Sequence, residues 1–334
     1  MKRRNKMLIW LLIIVLAFSY LKFFKHYPMK IDLQAKDDFW GLTYSPKFAS
    51  ELGLDWQETY LAILDELEVK NIRIPIYWDQ IEKSPGEYDF SVYDYIFEEG
   101  AKRDVKFIAN IGWRLPRWPE CHAPSWIEDE DPSVIKEQTY AMLEFVVGRY
   151  KHRPEIVSWQ VENEPLLNTF GECPNGDLEF LKKEIALVKS LDDRPIIVSA
   201  SGELSTWRHE AKLADVFGTT MYRVVWNWWF GYFRYPLPAW FYQDKAWLNN
   251  LSKDEVIISE LQAEPWVPNG TLADIEEFDY KKSFDIEQFR ANLQFAINTD
   301  FKQAYLWGVE WWYVQKQKGN TSYWDLAQQI FSQQ

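Results

Sequence analysis

The sequence predicts a (β/α)8 barrel preceded by an N-terminal membrane or signal helix. Three observations carry the barrel. Strand-like apolar runs recur eight times, alternating with stretches of helical spacing. The runs are apolar almost throughout, as suits a parallel sheet covered on both faces. No Gly-x-Gly-x-x-Gly turn is present, which argues against an open nucleotide-binding sheet, whereas eight units fit a closed barrel. A chain of 334 residues accommodates one such barrel.

Residues 1–28 form the first unit. Lys2-Arg3-Arg4-Asn5-Lys6 precedes an apolar run from Met7 to Leu21, and Lys22, Lys25 and His26 follow it. Charge ahead of the run predicts an N-terminus left in the cytoplasm. The run is short for a spanning helix of about 20 residues, although a snorkelling Lys22 extends it to Phe24. Ala17-Phe18-Ser19 offers small residues spaced for signal-peptide cleavage. An uncleaved anchor and a removed signal peptide both fit. Either predicts an extracytoplasmic protein, bound to the membrane through this helix or secreted.

Residues 29–334 form the second unit. Strands are expected near Trp40–Tyr44, Ile72–Tyr77, Val105–Ile111, Ile156–Val161, Pro195–Ala200, Val216–Met221, Val256–Ser259 and Ala304–Val309. Helices are clearest over Trp56–Leu67, Val134–Tyr150, Leu178–Leu191 and Ile286–Ile297.

Composition narrows the function. A net charge of −13 without a basic stripe excludes nucleic acid as a partner. Aromatic residues make up 17% of the chain and include 19 Trp, more than a core needs, which points to stacking against sugars. Cys121 and Cys173 follow consecutive strands, so export permits a disulfide between them. Neither lies in a pattern with metal-ligand spacing, and neither a metal nor a cofactor is expected.

In a parallel barrel, chemistry sits where strands end at the C-terminal face. Two strand-length runs stop there at a carboxylate: Trp159-Gln160-Val161-Glu162-Asn163-Glu164-Pro165 and Val256-Ile257-Ile258-Ser259-Glu260. Two such acids across one pocket are the equipment of a glycosidase, one protonating the leaving oxygen and the other attacking or activating water. Pro165 turns its predecessor out of helical geometry and presents Glu164 at a sharp exit. Glu162, two residues earlier, is expected on the same side of the strand, as a supporting residue with a partner. Glu260 is the candidate nucleophile, and Glu264, beside Pro265 and Trp266, is its rival. Arg73, inside the second strand, needs a carboxylate partner and is expected to hold a catalytic acid ionised. Tyr222 is placed to donate to that acid and Trp307 to floor the sugar site. Trp78, Trp113 and Trp266 are further candidate sugar contacts; Trp118, Trp126, Trp311 and Trp312 are expected around the same mouth. The aromatic loop from Trp226 to Phe241 is read either as pocket lining or as a patch that docks a partner or the membrane surface.

Asn163-Glu164-Pro165, Ser259-Glu260, Arg73 and the stretch Trp78-Asp79-Gln80-Ile81-Glu82-Lys83-Ser84-Pro85-Gly86-Glu87-Tyr88-Asp89-Phe90-Ser91 together resemble glycoside hydrolase clan A, from about Phe39 to Tyr313. That clan consists of retaining (β/α)8 (TIM-barrel) glycosidases, among them the cellulase-like family 5 and its relatives. The resemblance implies Glu164 as acid/base, Glu260 as nucleophile and Asn163 as a partner for the sugar 2-hydroxyl. The chain departs from family 5 at Thr220 and at Gly112-Trp113-Arg114, where that family carries histidines; His122 is read as a loop residue. The expected activity is retaining hydrolysis of an oligo- or polysaccharide. A transglycosylase of the same fold, or a non-catalytic carbohydrate-binding barrel, is the alternative.

Overall fold

The computed structural model describes residues 8–16, 30–229, 231–268 and 272–333. Eight parallel strands close into a barrel: β1 (Trp40–Thr43), β2 (Asn71–Pro75), β3 (Lys106–Ile111), β4 (Ile156–Val161), β5 (Ile196–Ala200), β6 (Val216–Met221), β7 (Val256–Gln262) and β8 (Gln303–Trp307). Each pairs with its sequence neighbours, and β8 closes on β1 through Trp40–Ala304 to Thr43–Trp307. All eight expected strands and all four expected helices are found; Ile156–Val161, Val216–Met221, Leu178–Leu191 and Ile286–Ile297 have the expected ends and the others are shifted. β8 stops at Trp307 because Gly308 takes a positive φ of 135° and leads into helix Val309–Gln317. β7 runs three residues beyond its expected end at Ser259.

Aspartates set several helix starts. Asp55, Asp177 and Asp285 each accept hydrogen bonds from backbone N–H groups of the first turn, at Trp56–Asp65, Leu178–Leu191 and Ile286–Ile297. The helices bury an apolar stripe against the outer face of the strands, giving one large cluster around the barrel. A smaller cluster of Ile108, Ile197, Ile257 and Tyr305 fills the barrel interior. Gly41 makes room for it, since a Cβ there would lie 2.7 Å from the Tyr305 ring. The chemistry-bearing residues sit above that apolar plug.

Of the N-terminal segment, only residues 8–16 are described; they are helical and exposed. Among the described residues no helix is long and apolar enough to cross a membrane, so the predicted spanning helix is not found there. The rest of that expectation lies outside the described residues.

Candidate active site

Arg73 is the hub of the site. It projects from β2 with no exposed surface and is satisfied on every side. Its Nε donates to Gln160 Oε1 at 2.7 Å, and its Nη2 to Asn110 Oδ1 and Asn163 Oδ1, both at 3.0 Å. Its Nη1 donates to Glu260 Oε1 at 2.9 Å in a buried ion pair. The second oxygen of Glu260 accepts the Tyr222 hydroxyl at 2.9 Å. Both partners that the sequence singled out therefore meet one carboxylate.

Backbone irregularity is what turns Glu260 inward. Ile257 belongs to the interior cluster and Ile258 to the outer one. Strict alternation would put Ser259 inside and Glu260 among the helices. The pairing with β6 slips between Ile258–Thr219 and Glu260–Thr220, leaving Ser259 as an extra residue. This bulge resets the alternation and re-aims the side chain.

Glu164 lies just past β4 with a positive φ of 46°. Its Oε1 accepts the Thr220 hydroxyl at 2.8 Å, and its backbone N–H donates to Ser199 Oγ at 3.0 Å. Burial, followed by the charge on Glu260, pushes its carboxyl up to about 8. Thr220, noted in the sequence only as a missing histidine, is the hydrogen-bond donor to this acid. Asn163 is held from both directions, with Oδ1 accepting from Arg73 and from Ser199 Oγ at 3.1 Å.

Glu162 does not share a side with Glu164. It also has a positive φ, 60°, so strand alternation ends at Val161. Its carboxylate accepts the backbone N–H groups of Trp113 at 2.8 Å and Arg114 at 2.5 Å, and its charge acts on the buried Glu184 of helix Leu178–Leu191. The expectation of a supporting residue with a partner matches these contacts.

The rival Glu264 is occupied. Arg117, unremarked in the sequence, forms a salt bridge to it and donates to Glu310 Oε2 at 3.1 Å. The Arg117 guanidinium lies between the rings of Phe48 and Trp307, 3.5 and 4.0 Å from their centroids. Trp307 thus has one face against Arg117. Burial raises Glu264 to about 7 against the opposing pull of Arg117. Two further carboxyls were missed. Glu120, in the loop after β3, is raised well above the carboxylate range by burial and then by Glu260 and Glu164. Glu203 accepts the Tyr222 backbone N–H at 3.2 Å and is raised to about 7, mainly by burial. Loop carboxyls without a strand-end pattern gave no signal.

Several tryptophans are corrected. Trp78 is fully buried, with Nε1 donating to Glu82 Oε2 at 2.6 Å, so no face is left for a sugar. Trp113 is buried against a small cavity of about 40 Å³ beside the disulfide, Glu162 and Glu184, behind the site. Trp311 and Trp312 are fully buried in the outer core. Their positions past strand ends suggested the mouth, but helix packing claimed their rings. Trp266 stays half-buried, edge-on to Tyr222 at 5.7 Å. The strand-six aromatics form a hairpin, Val224–Asn227 with Gly231–Arg234, with Trp228 and Trp229 exposed at its tip. Cys121 and Cys173 form a disulfide, with Cα atoms 5.5 Å apart. His122 is a buried loop residue contacting Lys47 Nζ and the Arg117 carbonyl, both at 3.1 Å. Among the described residues no group of three or more His, Cys, Asp or Glu side chains forms a metal-binding cluster.

No protein-family model matches the chain. A curated β-galactosidase, BgaA of Clostridium cellulovorans, is 23% identical over 173 residues, 43% of this chain and 25% of that enzyme; the match thus spans about a quarter of the relative's length. Among solved structures, native xylanase 10B from Thermotoga maritima superposes with a TM-score of 0.55 at 18% identity, covering 82% of this chain and 83% of the other. Xylanase 10B from Thermotoga petrophila RKU-1, in complex with xylobiose, gives 0.55 at 16% identity over 83% of each chain. A β-galactosidase from Bacillus circulans sp. alkalophilus gives 0.53 at 14% identity, covering 80% of this chain and 50% of that one. The chain has the TIM-barrel fold of these glycosidases.

Proposed function

We propose that this chain is a retaining glycoside hydrolase of the clan A type, acting on an oligo- or polysaccharide outside the cytoplasm. One observation carries the reading: two buried carboxyls lie near enough for the charge of Glu260 to act on Glu164, and their surroundings are opposite. Glu260 is gripped by Arg73 and Tyr222, whereas Glu164 is pushed up to about 8 by burial and by the neighbouring charge. Such divergence assigns the roles. Glu260 attacks the anomeric carbon while Glu164 gives its proton to the departing glycosidic oxygen. The covalent glycosyl ester then opens as Glu164, now a carboxylate, takes a proton from the attacking water. Asn163, fixed by Arg73 and Ser199, is assigned to the sugar 2-hydroxyl. Tyr222 and Trp266 are assigned to the sugar site, with Trp307 at its floor and Arg73 acting through Glu260.

The names of the relatives make xylan fragments and β-galactosides the first substrates to try. Within the clan, family 5 itself is disfavoured by Thr220 and by Gly112-Trp113-Arg114. The basic cluster at 2–6, the apolar run after it and the Cys121–Cys173 bond support export, with residues 1–28 as anchor or signal. The test is hydrolysis of aryl β-xylosides, aryl β-galactosides and xylan by the intact protein, Glu164→Gln and Glu260→Gln. The intact protein is expected to turn over at least one substrate; Glu260→Gln is expected to lose on the order of a thousandfold in kcat/KM on every substrate, and Glu164→Gln on xylan, whose leaving sugar hydroxyl needs the proton. Near-normal activity of either variant on those substrates overturns its assignment.

A further inference from the structure

We propose that the substrate is a sugar chain that continues past the reacting unit over a rigid aromatic rim made by Tyr222, Trp266, Phe170 and Trp118. This rests on the glycosidase reading and deepens it, from glycoside in general to an extended chain cleaved in an open cleft. The rim starts at the nucleophile, where the Tyr222 hydroxyl binds Glu260. Trp266 meets Tyr222 at a centroid distance of 5.7 Å, Phe170 meets Trp266 at 5.7 Å, and Trp118 meets Phe170 at 5.9 Å. The first three rings are half-buried, and the outermost, Trp118, is 59% exposed. A site for one terminal sugar needs walls around one ring and no apolar surface beyond it. Four aromatic rings follow one another from the nucleophile to solvent, a span that fits a ligand of several units rather than one. The C–H faces of sugars are its chemical match.

The rim is built before any ligand arrives. Trp118 lies on the loop after β3 and Phe170 on the loop after β4, and the Cys121–Cys173 bond joins the two. Backbone contact reinforces the bond, with Glu172 N–H donating to the Pro119 carbonyl at 2.9 Å. Arg114 reaches across, its Nη1 donating to the Leu167 carbonyl at 2.5 Å and its Nη2 to the Phe170 carbonyl at 2.8 Å. Gly171 has φ +84°, and a Cβ there would lie 2.8 Å from Glu120 Cγ, so only glycine lets the loops press together. The Trp266 backbone is anchored by its N–H, which donates to Ser283 Oγ at 2.9 Å. Loops held this way lose little backbone freedom on binding, so stacking appears as affinity.

The experiment compares two- and six-unit oligosaccharides of the xylan, galactan, glucan and mannan types. Binding is measured calorimetrically on Glu164→Gln, and hydrolysis on the intact enzyme, each with and without Trp118→Ala. Trp118 is exposed, so its loss leaves folding intact. At least one six-unit chain is expected to bind about tenfold more tightly than its two-unit counterpart. Trp118→Ala removes that advantage and leaves the two-unit ligand and aryl glycosides unchanged. Equal affinity at both lengths, or a long-chain advantage that survives Trp118→Ala, overturns the rim even where hydrolysis is normal. Length-dependent binding that Trp118→Ala abolishes, without hydrolysis of any glycoside, supports the rim and overturns the catalytic reading. Binding of none of the chains overturns the rim.

Discussion

Glu164 and Glu260 are the same residue type in one chamber, and their neighbours make them different. Glu260 receives two donors, a guanidinium and a phenol; Glu164 receives one hydroxyl and faces the charge of Glu260. A carboxyl-resolved NMR titration is expected to give Glu164 a midpoint near 8. Because the Glu260 charge is one cause of that rise, Glu260→Gln is expected to lower the midpoint; an unchanged value would mean the two groups do not interact. The proposed acid role requires a protonated Glu164, so kcat/KM is expected to fall as pH rises through about 8. Both acids were legible because each ends an apolar run beside a turn-forming or strand-ending sequence. Arg73 was legible because a charge in a buried strand demands a partner. Thr220 was visible only as a departure from a pattern, because a hydroxyl aimed at a carboxylate leaves no periodic trace. Arg117 was hidden because its two acid partners lie 147 and 193 residues away.

Glu162 at the β4 exit and Glu184 of helix Leu178–Leu191 are both buried and act on each other electrostatically. Burial raises both, and Glu184 is held well above the carboxylate range by burial and by Glu162. The folded pair keeps a proton that the unfolded chain releases above about 4.5. A carboxyl raised in the folded state contributes stability that is complete below 4.5 and is lost as pH climbs toward its folded value. Glu184→Gln keeps the size of the side chain and does not titrate. Its stability relative to the parent is therefore expected to rise with pH above 4.5, read as a growing difference in Tm. An offset that is constant from acid to alkaline pH would contradict a Glu184 carboxyl that holds its proton more tightly in the folded chain. Apolar spacing made the strands and helices readable, but alternation failed at two places. Positive φ at Glu162 and Glu164 ends it after Val161, and the extra Ser259 resets it before Glu260. Both irregularities lie next to the acids, where aiming a side chain overrides regular pairing.

Across the whole molecule, an eightfold repeat with apolar strands left the closed barrel as the simplest solution, and the structure closes in that order. Aromatic content was a weaker guide: it signalled sugar stacking, yet Trp78, Trp311 and Trp312 are packed into the core. Sequence position places a residue near a strand end, whereas helix packing decides which of its faces stays open. The Cys121–Cys173 bond closes a separation of 52 residues across two mouth loops. Chain-entropy arguments give such a crosslink about 4 kcal/mol. Cys173→Ser is expected to lower unfolding stability by that order in a denaturant titration, and an unchanged midpoint would contradict a stabilising bond. The central claim is the covalent step at Glu260. Its most direct test is intact-mass and peptide analysis after incubation with an activated 2-deoxy-2-fluoro glycoside of the sugar the enzyme turns over. One glycosyl unit esterified to Glu260, and absent from Glu260→Gln, is the expected result. A label on Glu264, or no label while hydrolysis inverts the anomeric centre, would contradict the account.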